Sequence, residues 1–272
     1  MVFNWTTRET IALPGDGAVT ANIVYTPTPS GSRIYDIKHA APKGMKCCYI
    51  DCPGDTKWHT LPLEGGNDRV LLGACIVMLD NKTILACGGY SQTKIPPNII
   101  NFVETSSCIS IDLDARVVNA FPAMLKARSH AAGVVYHGDI IVIGGTTDTS
   151  DPTNSCEQFD TAQGKWKLIA SINNTGPVSA AVSADRVYAF CSGKSIEVYD
   201  GVVWNVLDID MAMWGGFRCA EAAAVGGQIV CCGWCSDDPS RCMLYFFDPD
   251  TGKIDVPDVP VEGFISYIAS FM

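Results

Sequence analysis

The sequence has few charged residues, and acidic residues outnumber basic ones. Asp, Glu, Lys and Arg together make up 18% of the chain, and 29 acidic against 19 basic residues give a formal net charge of −10. Nucleic acids and anionic membranes are both bound through basic surfaces, so this charge balance argues against either as a general partner. The surface must depend largely on Ser, Thr, Asn and Gly.

Long apolar runs are also missing. No stretch approaches the roughly 18 residues that a membrane-spanning helix needs. The first ten residues, M-V-F-N-W-T-T-R-E-T, lack the basic segment followed by an apolar segment that is typical of a secretory signal. We therefore expect a protein that neither spans a membrane nor is exported.

The 13 cysteines do not form an obvious disulfide framework, because their number is odd and no export signal accompanies them. Several lie within apolar strand patterns, where a reduced cysteine behaves as a small buried hydrophobe; they are Cys75, Cys87, Cys108, Cys191 and Cys231. This usage predicts a cytoplasmic protein with free thiols.

Motifs that carry known catalytic chemistry are absent. The sequence contains no G-x-S-x-G, H-E-x-x-H or P-loop. A C-x-x-C occurs at Cys232 and Cys235, but no helix follows it, and a second cysteine pair at a typical zinc-site spacing is lacking. We expect no metal and no cofactor.

What the chain does contain is a β-strand pattern, seen most clearly between Arg128 and Trp166. Residues 129–136 form an apolar run, His137-Gly138-Asp139 is a turn, and residues 140–143 are a β-branched run that stops at Gly144-Gly145. A polar loop, a short strand with an aromatic residue and then a tryptophan follow. The pattern indicates one four-stranded antiparallel unit.

Similar strand-ending signatures recur along the chain: Gly88-Gly89, Gly144-Gly145, Ser192-Gly193 and Cys232-Gly233. Their second residues are 56, 48 and 40 positions apart, which brackets the period of about 50 of kelch units. A glycine pair that ends an apolar strand, followed by an aromatic residue and a tryptophan, resembles the kelch repeat. The resemblance covers about residue 18 to the end and implies a kelch-type β-propeller.

Five units can be assigned, at residues 18–66, 69–125, about 128–166, 178–210 and 219–259. The second unit is expected to contain a long loop around Pro96-Pro97. Each unit leaves an apolar face uncovered, so the units must stack into a ring. We count about 22 strands, whereas five blades need 20 and six need 24. We predict a single all-β domain over residues 1–272 with six blades, five being the alternative, and a ring closed by strands from both termini.

Three arginines stand at the start of predicted inner strands: Arg69, Arg128 and Arg218. Equivalent places in a ring would bring them together at one mouth of the channel. In kelch propellers of the substrate-adaptor type, arginines in this place contact acidic peptides, as the forked guanidinium suits carboxylates. The alternative is that each arginine binds strand-end carbonyls or pairs with a neighbouring blade.

Aromatic residues in predicted loops suggest that the same rim is an interaction surface. Met211 to Phe217 form an apolar loop before Arg218, and Trp, Met and Arg are favoured at the centres of interfaces. We expect a non-catalytic protein-interaction module, a scaffold or adaptor subunit of a larger assembly, that binds a protein partner such as an acidic peptide segment. Its predicted partner-binding residues are Arg69, Arg128, Arg218, Tyr90, Thr146, Trp214 and Trp234.

An enzyme on the same scaffold is the alternative. Glu221 lies within the apolar strand C-A-E-A-A-A-V, where it would face the channel or a neighbouring blade as an acid with a raised pKa. The kelch-type sialic-acid mutarotases suggest a sugar-acid mutarotase or epimerase, in which Glu221 would act as the acid–base group and the arginines would bind the substrate carboxylate. A third hypothesis is a purely structural subunit.

Overall fold

All regular secondary structure in the described residues is β-strand. The computed structural model describes residues 2–4, 9–11, 23–28, 31–40, 44–52, 55, 57–65, 72–95, 99–147, 151–191, 194–209, 217–235, 242–256 and 267–269. Over these ranges we find no helix with the length and apolar character needed to cross a membrane. The all-β class predicted from the sequence is therefore confirmed.

Five sheets contain four strands each, and we number them as blades 1 to 5 along the chain. Two short strands, β1 (Val2–Asn4) and β2 (Glu9–Ile11), precede blade 1. Blade 1 consists of β3 (Ile23–Thr28), β4 (Gly31–Ala40), β5 (Gly44–Cys52) and β6 (His59–Leu61). Blade 2 consists of β7 (Cys75–Asp80), β8 (Thr83–Cys87), β11 (Cys108–Asp112) and β12 (Val117–Phe121), interrupted by β9 (Tyr90–Ile95) and β10 (Ile99–Glu104).

The remaining blades have consecutive strands. Blade 3 consists of β13 (Ala132–Tyr136), β14 (Asp139–Ile143), β15 (Cys156–Asp160) and β16 (Lys165–Ile169). Blade 4 consists of β17 (Val178–Ser183), β18 (Arg186–Cys191), β19 (Ser195–Tyr199) and β20 (Trp204–Val206). Blade 5 consists of β21 (Phe217–Val225), β22 (Gln228–Cys235), β23 (Cys242–Phe247) and β24 (Ile254–Asp255), and β25 (Tyr267–Ala269) follows it.

Blade 3 shows why the sequence folds in this way. The strand β13 alternates buried and half-buried residues, whereas all four residues from Ile140 to Ile143 are fully buried. Both residues of the turn His137-Gly138 have positive φ, at 52° and 82°, which suits a tight two-residue hairpin. Gly145 also has positive φ, and a Cβ there would lie 2.5 Å from the carbonyl oxygen of Ser129, so only glycine fits.

The hydrophobic core lies between neighbouring blades rather than within one blade. The cluster between blades 3 and 4, for example, joins Tyr136 and Ile141 to Val187 and Ala189. Equivalent clusters join blades 1 and 2, blades 2 and 3, and blades 4 and 5. Each blade therefore depends on its neighbours to cover its apolar faces, as expected for a ring of repeated units.

A sixth sheet brings the two ends of the chain together. It has three strands in the order β2-β1-β25, and β1 pairs in parallel with β25 through Val2 and Tyr267. The strand β25 also lies beside β21 and β22 of blade 5. The described residues thus form five complete blades and one sheet shared by both termini, which is the form of closure that the sequence predicted.

One element differs from its prediction. A long loop was expected around Pro96-Pro97, but the flanking segments are the strands β9 and β10, which pair from Tyr90↔Glu104 to Ile95↔Ile99. Pro96 and Pro97 themselves lie outside the described residues. The strands of this hairpin pair with each other and with no strand of blade 2 in the described part of the chain. The hairpin is therefore not part of the sheet of blade 2, and it begins directly after Gly88-Gly89.

Candidate functional site

The rim that carries the glycine pairs is the candidate site. Two kinds of segment meet there: those that link the second and third strands of a blade, and those that lead from one blade to the next. Backbone hydrogen bonds join them, from Gly89 N to Arg128 O at 2.8 Å, from Tyr90 N to Leu72 O at 2.9 Å and from His130 N to Gly73 O at 2.7 Å. The loop ends of blades 2 and 3 thus form one continuous surface.

At this rim, the base of the β9–β10 hairpin carries a group of aromatic and apolar side chains. The Tyr90 ring lies edge-on to Phe102, with centroids 6.4 Å apart, and to His130, with centroids 5.7 Å apart. Phe102 is 48% exposed and Leu72 is 54% exposed, and Val103 is also exposed. We call these five residues, Leu72, Tyr90, Phe102, Val103 and His130, the hairpin rim.

Arg128, predicted to bind a partner, lies inside the protein instead. It is 1% exposed, and its guanidinium donates to the carbonyl oxygens of Gly144 and Ser155, each at 2.8 Å. It also donates to Glu157 at 2.8 Å. Arg128 therefore binds strand-end carbonyls, as the alternative interpretation stated, and its guanidinium is not available at the rim.

Glu157 on β15 organises the connection into blade 3. Its fully buried carboxylate accepts hydrogen bonds from the backbone N–H groups of Leu125, at 2.6 Å, and Lys126, at 3.1 Å, as well as from Arg128. A buried charge is tolerated when it is paired and hydrogen-bonded in this way. The carboxylate therefore fixes the path of the chain from blade 2 to blade 3.

Glu197 on β19 repeats this arrangement in blade 4. Its fully buried carboxylate accepts from the backbone N–H groups of Asn173, at 2.7 Å, and Asn174, at 3.1 Å, and from both of their side-chain amides. The signal for both glutamates is a shared pattern, E-x-F-D at Glu157 and E-x-Y-D at Glu197, which our sequence analysis missed.

Outer-strand tryptophans support the same connections. Trp166 donates from Nε1 to the carbonyl oxygen of Pro122 at 2.8 Å, and Trp204 donates to Ala170 at 3.0 Å. Each tryptophan thus binds the segment that leaves the preceding blade. Both tryptophans also belong to the hydrophobic clusters between blades, so each adds a polar link to that packing.

Three of the other predicted residues lie at this rim or at the strand ends that lead to it. Tyr90 belongs to the hairpin rim. Thr146 is half-buried and hydrogen-bonds through its hydroxyl to Ser129 at 2.8 Å. Trp234 is half-buried near the end of β22 and pairs with Arg218. Tyr90, Trp234 and Phe217 belong to strands and not to the loops in which the sequence had placed them.

The remaining predicted residues can be placed only in part. Arg69 and Trp214 lie outside the described residues. Arg218 lies on β21, and its side chain is outside the description. Arg128 does not present its guanidinium at the rim, and the placement of Arg69 and Arg218 there stays a prediction.

Glu221 lies on the side of blade 5 that faces away from blade 4. It is opposite Cys232 in the strand pairing and shares the face of β21 with Ala223, whereas Ala222 and Ala224 pack toward blade 4. Burial raises the pKa of Glu221 to about 8. Glu221 is thus on the same face of blade 5 as the cluster that contains Val225 and Cys232.

Ten cysteines whose side chains the structure describes are buried and have no disulfide partner. Burial raises the pKa of Cys47, Cys75 and Cys191 to about 12. Protonated buried thiols are poor nucleophiles and poor metal ligands. In the described ranges, no three His, Cys, Asp or Glu residues are grouped so that they could hold a metal ion.

Comparison with known proteins supports the repeat assignment. A family model for the Kelch motif matches residues 127–173, which contain the whole of blade 3 together with Arg128 and Glu157. No curated protein matches the chain.

We predict that Arg128→Met lowers the free energy of unfolding by roughly 3–5 kcal/mol, because it leaves the buried Glu157 carboxylate without its cation. Urea unfolding measures the change. Arg186→Met, at an exposed position on β18, is the matched control and should change the free energy by less than about 0.5 kcal/mol. Equal effects of the two substitutions would contradict a structural role for Arg128.

A second prediction concerns Glu221. Its folded-state pKa lies above the unfolded value, so the stability that it contributes is present below the unfolded pKa and is lost as the pH rises through about 8. Glu221→Gln removes this dependence, so between pH 6 and pH 9 the wild type should lose roughly 2–3 kcal/mol more than the variant. Parallel unfolding curves at both pH values test this, and identical pH dependence would disprove the shift.

Proposed function

Because the chain is a kelch-repeat β-propeller, we propose that it is a non-catalytic protein-interaction module that binds a protein partner through the hairpin rim. Kelch propellers commonly serve as protein-interaction scaffolds. Support comes from the exposed aromatic and apolar side chains at one place on the loop face. Such residues are favoured at interface centres, and Phe and Tyr supply much of the contact energy.

The position of the hairpin favours binding there. Phe102 and Val103 belong to a hairpin that pairs with no blade strand in the described part of the chain, so their exposure is not required by the packing of the ring. Leu125, 57% exposed, extends the apolar character along the connection into blade 3. By their place in the blade order we include Arg69, Arg218, Thr146, Trp214 and Trp234 in the same proposed surface.

One of the three arginines that were expected to bind an acidic peptide is not available for that role. Arg128 is held inside the protein by Glu157 and by strand-end carbonyls, so it cannot contribute charge to the rim. An acidic partner would now have to be bound by Arg69 and Arg218. We infer a single propeller domain over residues 1–272 in the cytoplasm, where buried free thiols stay reduced, acting as a scaffold or adaptor subunit.

A small-molecule enzyme, such as a sugar-acid mutarotase or epimerase, is the second candidate. The raised pKa of Glu221 favours it, because a carboxyl with a pKa near 8 can donate and accept protons at neutral pH. The position of Glu221 on the apolar face of blade 5 that contains Val225 and Cys232, and the internal role of Arg128, make this candidate the weaker one.

We predict that a photoreactive phenylalanine analogue at Phe102 forms a covalent adduct with the partner in the native cell. Val202, 73% exposed in the turn between β19 and β20, is the matched control because it lies on the opposite rim. Adducts are resolved by gel electrophoresis and identified by mass spectrometry. Phe102→Ser should abolish co-purification of the same protein, and Val202→Ser should not.

Adducts formed equally from both positions, or from Val202 alone, would show that the partner binds elsewhere. If neither position gives an adduct, sugar acids should be screened by NMR for accelerated anomer exchange. In that case exchange by the wild type and loss of exchange in Glu221→Gln would establish the enzyme instead.

A further inference from the structure

The base of the β9–β10 hairpin contains a buried carboxylate oxygen without a hydrogen-bond partner among the residues that the structure describes. Glu104 is 8% exposed, and its buried Oε1 has no hydrogen-bond partner. The buried glutamates Glu157 and Glu197 differ, because each accepts from two backbone N–H groups and from side chains as well. A buried acceptor without a partner carries the cost of its desolvation, and this cost is larger when the group is charged.

The strand register places this carboxylate beside the aromatic residues of the hairpin rim. Glu104 is directly opposite Tyr90, and Phe102 is opposite Gln92, so the side chains of Glu104, Tyr90 and Phe102 leave the same face of the hairpin. The contacts of the Tyr90 ring with Phe102 and His130 agree with this assignment. An unsatisfied acid therefore lies at the edge of an exposed aromatic group.

These features together fit a cation. A guanidinium or ammonium group would satisfy the carboxylate with charge-assisted hydrogen bonds, and the faces of Tyr and Phe rings attract the same groups. The hydrophobic stems of Arg and Lys would pack on Phe102 and Leu72. The net charge of −10 would also draw a basic segment toward the protein.

We propose that the hairpin rim, with Glu104, recognises a basic side chain, arginine or lysine, flanked by apolar residues in the protein partner. This inference depends on the proposed function and specifies the chemistry of the partner at that surface. The proposed partner segment is therefore basic, whereas the three arginines had suggested an acidic one. Arg128, whose guanidinium is bound to Glu157, does not oppose an incoming cation at the rim.

The test uses a displayed library of random heptapeptides selected against the wild-type chain of residues 1–272. We expect the enriched peptides to share one Arg or Lys next to apolar residues. In synthetic copies, citrulline in place of that Arg, or norleucine in place of that Lys, should weaken binding at least tenfold on the unaltered protein. Isothermal titration calorimetry measures the affinities, and competition for the Phe102 crosslink shows that the peptide occupies the hairpin rim.

Protein variants provide the reciprocal test. Glu104→Gln should weaken the basic peptide at least tenfold, whereas Asp250→Asn should leave the affinity within twofold. Asp250 is an exposed residue in a turn of blade 5, and its variant loses the same charge. Because the citrulline and norleucine measurements use the wild-type protein, a folding defect in Glu104→Gln would not decide the question.

The outcomes separate the two proposals. If peptides occupy the hairpin rim without a basic residue, or bind Glu104→Gln unchanged, the cationic site is wrong and the interaction module stands. Acidic peptides enriched at the rim would likewise overturn it. If the library yields no binder at the rim and Phe102 forms no crosslink, both proposals fail.

Discussion

The fold depends on how the protein accommodates carboxylates buried between its blades. Glu157 and Glu197 lie at equivalent positions on the third strands of blades 3 and 4, and each is fully buried. Each accepts the backbone N–H groups of the connection that enters its own blade. Hydrogen bonds to a charged group contribute about 1.5–3 kcal/mol each, so these contacts hold the inter-blade connections as firmly as strand pairing holds the sheets.

This constraint also determines the chemistry of the rim. Arg128 is drawn inward because Glu157 and two strand-end carbonyls need a donor there. The loop face beside it therefore gains no positive charge from this residue. It is instead defined by the aromatic group around Tyr90 and by the unsatisfied carboxylate of Glu104. The hydrogen bonds made inside the protein thus determine which residue types are left at the rim for a partner to contact.

Much of the fold followed from local patterns. The β-branched run before Gly144-Gly145 identified a blade because strand propensity and the need for positive φ act over a few residues. The hairpin of β9 and β10 was missed because Pro96-Pro97 indicated a loop, although the flanking segments pair in register over six residue pairs. That pairing joins strands on either side of residues 96–98, and the two prolines between the strands concealed it in the sequence.

The candidate site was harder to predict because it depends on which side chains are buried and bonded inside the protein and which stay at the surface. From the sequence, Arg128 and a surface arginine look alike, and only the position of Glu157 on the neighbouring strand separates them. Tyr90 was identified from its place after a glycine pair, whereas Phe102, His130 and Glu104 meet it through pairing and contacts that span the hairpin. Residues that meet across strands are far apart in the sequence, so they form no short sequence motif.

The most direct test of this account is amide hydrogen exchange measured by NMR on the free protein. The central claim is that the buried carboxylates hold the connections, so the amides of Leu125, Lys126, Asn173 and Asn174 should exchange as slowly as the strand amides of β13 and β17. In Glu157→Gln, the first two should exchange much faster while the last two stay protected. Fast exchange of all four amides in the wild type would contradict the claim, since it would mean that the carboxylates do not fix the rim.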